Sequence, residues 1–212
     1  MENIITIDGP SGAGKTTVAL HVARQLELAY IPSGRLFRAA AYVMQQNQIR
    51  STNEDAVTAF ANALDLGMHG DGRIVYQDQD ITEYLDAPEV GVLSTKVAQN
   101  QGLRLRLLAI QREIGLRKGC VIEGRSTGIE VFPEAALKIW LTADVETRRK
   151  RKTHSEGIAA AGAIMSRDQI DAARNLAPMH KAPDAIEINT TNMSVEDVTT
   201  GIVQHYYDAQ GQ

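Results

Sequence analysis

The 212-residue sequence is poor in several features that would indicate particular classes of protein. It has one cysteine, Cys120, which cannot close an internal disulfide, so we expect a reducing compartment, the cytoplasm. No apolar run approaches the roughly 18 residues of a membrane span, and the first residues lack the pattern of a signal peptide, so we expect no membrane association. Duplex-binding proteins usually carry an excess of basic residues, whereas this chain has a net charge of −4. We therefore expect no nucleic-acid partner.

The remaining composition is that of a globular chain, with 43% hydrophobic and 23% charged residues. Short apolar runs alternate with longer stretches of helical periodicity. Strands are predicted at residues 4–7, 30–31, 121–122, 137–141 and 185–188, and helices at residues 16–26 and 36–48. Strands separated by helices are typical of βαβ units, so we predict an α/β fold with a parallel sheet.

Two regions depart from this alternation. Residues 65–86 combine glycines with alternating apolar residues, which predicts a small antiparallel insert. Residues 148–176 are rich in arginine and lysine around a stretch of small residues, which predicts a lid with charged helices. The length is about 1.4 times that of an average domain, so we interpret residues 1–212 as one domain with an insert and a lid.

The strongest motif is the run Gly9-Pro10-Ser11-Gly12-Ala13-Gly14-Lys15-Thr16, which matches the phosphate-binding pattern G-x-x-x-x-G-K-[ST]. A predicted strand precedes the run and a predicted helix follows it. Glycines let the backbone turn its N–H groups toward phosphates, Lys15 offers a cation, and Thr16 offers a hydroxyl to Mg²⁺. We therefore predict that residues 9–17, including Thr17, bind ATP together with Mg²⁺.

Other charged residues stand where phosphoryl transfer could use them. Glu123 and Asp8 each end a predicted strand, and either could join Thr16 at Mg²⁺. Arginine suits phosphates because its planar fork donates two hydrogen bonds and stays charged. The candidate arginines are Arg38, Arg104, Arg125, Arg148, Arg151, Arg167 and Arg174. Asp171 shares a helical face with Arg167 and Arg174, a triplet that fits either a ligand site or a ladder of helix salt bridges.

Taken together, these residues and motifs resemble the cytidylate kinase family over nearly the whole chain. The resemblance is carried by the blocks Ile7–Lys15, Ser33-Gly34-Arg35-Leu36-Phe37-Arg38, Glu123-Gly124-Arg125, Phe132–Ile139 and Arg167–Arg174. It implies a P-loop NTPase fold with a five-stranded parallel sheet flanked by helices. It also implies an acceptor-binding region at about residues 34–118, a helical lid, and transfer of the ATP γ-phosphoryl group to a nucleoside monophosphate.

The resemblance implies a role for each matching residue. It places Ser33, Arg38, Arg125 and Arg174 near the acceptor phosphate, and Arg167 and Asp171 at the ribose. Arg104 would read the base, while Arg148 and Arg151 would close over the transferring group. With Lys15, the catalytic set is then Lys15, Arg125, Arg148 and Arg151.

The chain departs from the family at positions that handle the base. Ser126 stands where the family usually has an aspartate that contacts cytosine, Thr95 where it has serine, and Phe37 where it has tyrosine. A neutral serine cannot reproduce a charge-assisted hydrogen bond, although serine with a water molecule could do the same job. We hypothesise that the acceptor is a pyrimidine monophosphate such as CMP or dCMP, with a modified or non-cytosine base left open.

Two other functions remain open from the sequence. One is an ATP-dependent kinase of another small molecule, and the other is a non-catalytic nucleotide-binding protein. The retained Lys15, Thr16 and lid arginines favour an enzyme over a binding protein. We expect a monomer, with a dimer left open.

Overall fold

The computed structural model describes residues 3–156, 162, 164–173 and 178–211. In chain order the elements are β1 (Ile4–Asp8), α1 (Lys15–Gln25), β2 (Ala29–Pro32), α2 (Ser33–Gln46), α3 (Glu54–Ala63), β3 (Gly67–Met68), β4 (Ile74–Tyr76), β5 (Gln79–Asp80), a 3-10 helix (Thr82–Asp86), α4 (Pro88–Val97), α5 (Gln101–Lys118), β6 (Cys120–Gly124), α6 (Thr127–Glu130), β7 (Leu137–Thr142), α7 (Val145–Glu156), α8 (Ile164–Ala172), β8 (Ile186–Asn189) and α9 (Val195–Ala209).

Five of these strands form one parallel sheet in the order β2-β6-β1-β7-β8. The predicted strands fall on these five, so the α/β class and the parallel sheet are confirmed. All five residues of β1 are buried, because β1 lies in the middle of the sheet with helices on both faces.

Each face of the sheet has its own apolar core. Ile5 and Ile7 belong to a buried cluster with α1 and α9, to which Val18 and Ile202 contribute. On the opposite face, residues such as Ile122 pack in a second cluster with α2, α3 and α5. The alternation along β1 and β6 therefore divides the apolar residues between two helical layers.

Residues 67–80 form a second sheet of three short antiparallel strands, β3-β4-β5, and the 3-10 helix follows it. The backbone N–H of Tyr30 in β2 donates to Gly70 O at 2.9 Å, which ties this small sheet to the edge of the large one. Leu85 of the 3-10 helix is fully buried in the cluster that holds α2. The assignment of the insert, residues 65–86, to the acceptor-binding region stays a prediction.

The carboxyl ends of the parallel strands lie along one edge of the sheet. Asp8 pairs in register with Gly124 of β6 and with Trp140 of β7, so the segments that follow these strands start side by side. Ligands of open α/β sheets bind at this edge. In the part of the chain that the structure describes, none of the helices has the length and apolar character that crossing a membrane requires.

Candidate active site

The phosphate loop, residues 9–14, connects β1 to α1 and requires glycine at two crowded positions. Gly9 has φ +147°, and a Cβ atom there would lie 2.1 Å from Leu141 O in β7. Gly12 has φ +77°, and a Cβ atom there would lie 2.7 Å from Arg148 O and 2.9 Å from Arg148 Cβ. These glycines therefore let β7 and α7 approach the loop more closely than any side chain would allow.

Lys15 begins α1 and folds back over the loop, where its Nζ donates to Pro10 O at 2.9 Å. The residue is 8% exposed. Burial, followed by the nearby charge of Arg125, lowers the pKa of the Lys15 ammonium from 10.5 to about 7. The loop thus holds a lysine that is only partly charged at neutral pH and that an incoming anion would favour in its charged form.

Thr16 and Thr17 are exposed on the first turn of α1, directly after the phosphate loop. Thr16 Oγ1 lies 3.4 Å from Glu123 Oε1 at the end of β6. A hydroxyl and a carboxylate at this separation fit Mg²⁺, which is usually bound by one or two carboxylates together with substrate phosphates. Thr16 and Glu123 are therefore the residues that could hold the ion.

Asp8, the other candidate for Mg²⁺, is committed to the fold. It is 4% exposed. Its Oδ1 accepts from Thr127 N at 2.9 Å and Thr127 Oγ1 at 3.0 Å, and its Oδ2 accepts from Gly128 N at 2.8 Å. Burial raises the pKa of the Asp8 carboxyl, an effect that these hydrogen bonds oppose. Because both oxygens are occupied in anchoring α6 to β1, we withdraw Asp8 from the metal site.

Arg125 follows β6 and reaches the phosphate loop. Its Nη1 donates to Gly9 O at 2.7 Å, and its Nε donates to Asp171 Oδ2 on α8 at 2.8 Å. Asp171 is 6% exposed. The pair therefore brings together the loop, the end of β6 and α8, although their positions in the chain are far apart.

Arg148 and Arg151 lie on the side of α7 that faces the loop. Arg148 is 7% exposed, its Nη1 donates to Ser11 O at 3.0 Å, and it also contacts Asp168 Oδ2. Arg151 donates from Nη1 to Thr190 Oγ1 at 2.8 Å and from Nη2 to Thr190 O at 2.7 Å. Both arginines are thus fixed beside the phosphate loop before any ligand is present.

Asp168 and Thr190 complete this region, and the sequence reasoning gave neither of them a role. Asp168 Oδ1 accepts from the backbone N–H of Ser11 at 2.9 Å. Thr190 Oγ1 lies 3.1 Å from Ala13 O, so it links the end of β8 to the loop. Asp168 could have been suspected from its place beside Arg167, whereas nothing in the local sequence distinguishes Thr190 from a surface threonine.

Two of the residues predicted to bind the acceptor phosphate, Ser33 and Arg38, lie on α2, which follows β2. Ser33 is buried at the start of α2, where a Cβ atom on Gly124 would lie 3.5 Å from its own Cβ. Arg38 donates from Nη1 to Leu85 O at 2.8 Å, and its Nη2 would lie 3.1 Å from a Cβ atom on Gly91 of α4. The Arg38 side chain therefore extends from α2 to the 3-10 helix and α4.

The residues predicted to handle the base lie on separate elements, with Phe37 on α2, Thr95 on α4, Arg104 on α5 and Ser126 just before α6. Arg104 Cζ lies 5.6 Å from the centre of the Phe37 ring, and Arg104 is also paired with Glu130. Thr95 Oγ1 lies 3.4 Å from Gly91 O in α4, and Ser126 is buried where α6 begins. Arg174 lies outside the described residues, as do the side chain of Arg167 and lid residues 157–161 and 163.

Comparisons with known proteins identify the family to which the chain belongs. A family model described as cytidylate kinase matches residues 5–208. A cytidylate kinase from a Geobacillus species is 37% identical over 212 residues, which cover 94% of each chain. One from Thermotoga maritima is 36% identical over 209 residues, again 94% of each chain. The bifunctional pantoate ligase/cytidylate kinase of Acaryochloris marina is 35% identical, over 97% of this chain and 42% of that protein.

Solved structures are similar in fold. A shikimate kinase from Acinetobacter baumannii superposes with a TM-score of 0.50 at 16% identity, covering 100% of this chain and 97% of the other. A protein from Thermus thermophilus, TT1252, superposes with a TM-score of 0.52, also at 16% identity. At this level of identity the likeness concerns the fold alone, a P-loop kinase sheet flanked by helices.

Proposed function

The chain belongs to the cytidylate kinase family, and from that premise we propose that it transfers the γ-phosphoryl group of ATP to the 5′-phosphate of CMP. An oxygen of the CMP phosphate attacks the γ-phosphorus, the bond to the β–γ bridging oxygen breaks, and ADP and CDP leave. The names of the relatives favour cytidine as the nucleoside, which the change at Ser126 had left open. The same acceptor site would take dCMP.

The observation that carries the proposal is the position of Arg125. Its guanidinium donates to Gly9 O in the phosphate loop. The residue itself directly follows β6, the strand that carries Glu123. A cation at this point would lie between the donor phosphates and the acceptor phosphate that Ser33 and Arg38 are proposed to bind. Two anions that would repel each other can therefore be held in line by one fixed positive group.

The described residues divide the work of the reaction between them. The loop amides and Lys15 would hold the β- and γ-phosphates of ATP, and Arg38 and Arg125 would fix the acceptor phosphate. Thr16 and Glu123 would hold Mg²⁺, which would offset the negative charge of the phosphates.

Two further arginines complete the site from the lid side. Arg148 and Arg151, held beside the loop by Ser11 O and Thr190, would face the charge that develops on the transferred group. The lid of residues 148–176 would exclude water, since transfer to water would waste ATP. This role of the lid belongs to the proposal.

The experiment is a panel of nucleoside monophosphates with Mg-ATP, in which the diphosphate product is quantified. CMP and dCMP should be converted, and 5-substituted pyrimidine and purine nucleotides complete the panel. Lys15→Met should abolish transfer. Arg125→Met should lower kcat/KM for CMP by about 100-fold or more, because it removes charged hydrogen bonds worth about 1.5–3 kcal/mol each.

The matched control is Arg117→Met, which removes an exposed arginine paired with Glu113 on α5 and should change nothing. If ATP is consumed only with an acceptor that is not a nucleotide, the chain is a kinase of another small molecule. If ATP binds and no acceptor is phosphorylated, the chain is a non-catalytic binding protein. Either result would overturn the proposal.

A further inference from the structure

Glu130, a residue with no assigned role, forms a half-buried ion pair with Arg104. The side chains of Arg104 and Glu130 are 12% and 21% exposed, and the pair lies beside the Phe37 ring. An ion pair withdrawn from water costs desolvation of both groups, so stability alone is a weak reason for its presence. Arg104 and Phe37 are predicted to handle the base of the acceptor, and this points to a function for the pair.

The pair leaves one oxygen of the carboxylate available. Arg104 Nε donates to Glu130 Oε2 at 3.1 Å, and Arg104 Nη2 contacts the same oxygen. No described residue donates a hydrogen bond to Glu130 Oε1, and Arg104 Nη1 likewise has no acceptor within the described ranges. A free acceptor oxygen and a free N–H donor are thus contributed by one fixed pair.

Glu130 also lies close to the buried Ser126. The Glu130 backbone N–H donates to Ser126 O at 2.9 Å across the single turn of α6. Residues four apart share a face of a helix, so the carboxylate at 130 lies on the same face as position 126, one turn further along. The segment that carries Ser126 therefore also carries a negatively charged acceptor, although Ser126 itself is neutral.

We propose that Glu130 is a specificity-determining residue whose carboxylate accepts a hydrogen bond from the 4-amino group of cytosine. Arg104, which Glu130 holds in place, donates to the ring acceptors of the same base. Cytosine offers an amino donor at position 4, whereas uracil offers a carbonyl oxygen there, which a carboxylate would repel. The proposal rests on the proposed function, since it concerns the base of the same acceptor.

This proposal answers the question of the base that Ser126 alone leaves open. If cytosine were not firmly selected, the wild-type protein would use CMP and UMP with similar kcat/KM. With Glu130 as the acceptor group, CMP should be preferred over UMP by about tenfold or more, the range of one charge-assisted hydrogen bond. A ratio near one in the wild type would overturn the proposal.

The test is Glu130→Gln, which keeps the shape of the side chain and removes its charge. The ratio of kcat/KM for CMP to that for UMP should fall by about tenfold or more, and the ratio of the two dissociation constants measured by calorimetry should fall in parallel. The control is Glu134→Gln, which neutralises a carboxylate paired with Arg112 and should leave both ratios unchanged.

The outcomes separate a reader of the base from a purely structural residue. If Glu130 only positions Arg104, Glu130→Gln weakens CMP and UMP equally and both ratios stay constant, which overturns the proposal. If wild-type protein phosphorylates no nucleotide, the proposed function fails, and the calorimetric ratio still decides whether Glu130 distinguishes the bases. Thermal unfolding of each variant confirms that it is folded.

Discussion

Lys15 provides the sharpest test of how the phosphate loop is built, because burial and Arg125 lower the pKa of its ammonium to about 7. A bound triphosphate places negative charge beside Nζ and favours the protonated form, so the pKa of Lys15 rises when ATP binds. Above pH 7 the free protein carries mostly neutral Lys15 and must take up a proton to bind ATP. We therefore expect the affinity for Mg-ATP to fall as the pH rises.

The magnitude follows from the pKa. If Lys15 is fully protonated in the complex, a free-state pKa of about 7 makes the dissociation constant rise by up to about 50-fold between pH 7 and pH 9. Proton uptake should approach one per ATP at about pH 8.5, where the phosphates themselves are already ionised because their second pKa is about 6. Calorimetry in buffers of different ionisation enthalpy measures this uptake directly.

Two variants make the assignment specific. Lys15→Met should bind ATP weakly, with no pH dependence and no proton uptake above about pH 7.5. Lys138→Met, which removes another buried lysine, paired with Asp184, should keep the pH dependence of the wild type. A dissociation constant for wild-type protein that is flat between about pH 7.5 and pH 9 would refute the reasoning.

The same pKa has a consequence for the stability of the unliganded protein. Between pH 7 and the ordinary lysine value of 10.5, the unfolded chain binds more protons at Lys15 than the folded chain. The contribution of Lys15 therefore destabilises the fold most below pH 7 and fades as the pH rises toward 10.5. Lys15→Met should raise the free energy of unfolding in urea, with the largest gain at low pH.

Two further predictions concern buried groups outside the ligand contacts. Asp8→Asn should lower the free energy of unfolding by about 1–3 kcal/mol, because an amide cannot accept from both Thr127 and Gly128, while the Mg²⁺ dependence of ATP affinity stays unchanged; a changed Mg²⁺ dependence would return Asp8 to the metal site. Cys120, whose pKa burial raises to about 12, should resist a thiol reagent at about pH 8 in the folded protein and react with one equivalent in denaturant, and rapid labelling without denaturant would contradict its burial.

The parts of the molecule that the sequence predicts well are those encoded by neighbouring residues. The phosphate loop is a contiguous motif between a strand and a helix, and the five strands are contiguous apolar runs, so both are recognisable locally. The roles of the arginines in residues 148–151 are harder to predict, because a run of charged residues usually forms an exposed helix face. The helix resolves them: Arg148 and Arg151, three apart, face the loop, whereas Arg149 and Lys150 are exposed.

The parts that the sequence predicts poorly depend on partners far away in the chain. Asp8 ends a strand as a metal ligand might, and its actual partners are 119 and 120 residues away. Glu130 pairs with a residue 26 positions away, and Asp168 reaches an amide 157 positions away. The local sequence does not reveal the partners of such residues, because these partners are set by which elements the sheet brings together.

Protein oxygens accept hydrogen bonds from the cations around the phosphate loop, and this explains why phosphate binding there is an exchange. Lys15 donates to Pro10 O, Arg125 to Gly9 O, and Arg148 to Ser11 O. The three cations therefore already donate hydrogen bonds to carbonyl oxygens of the loop. A phosphate oxygen that takes over one of these donors gains only the difference between two hydrogen bonds, commonly about 1 kcal/mol. Selectivity for a phosphoryl group therefore comes from its charge and from the number of donors that meet at one point, which a single arginine on the surface cannot supply.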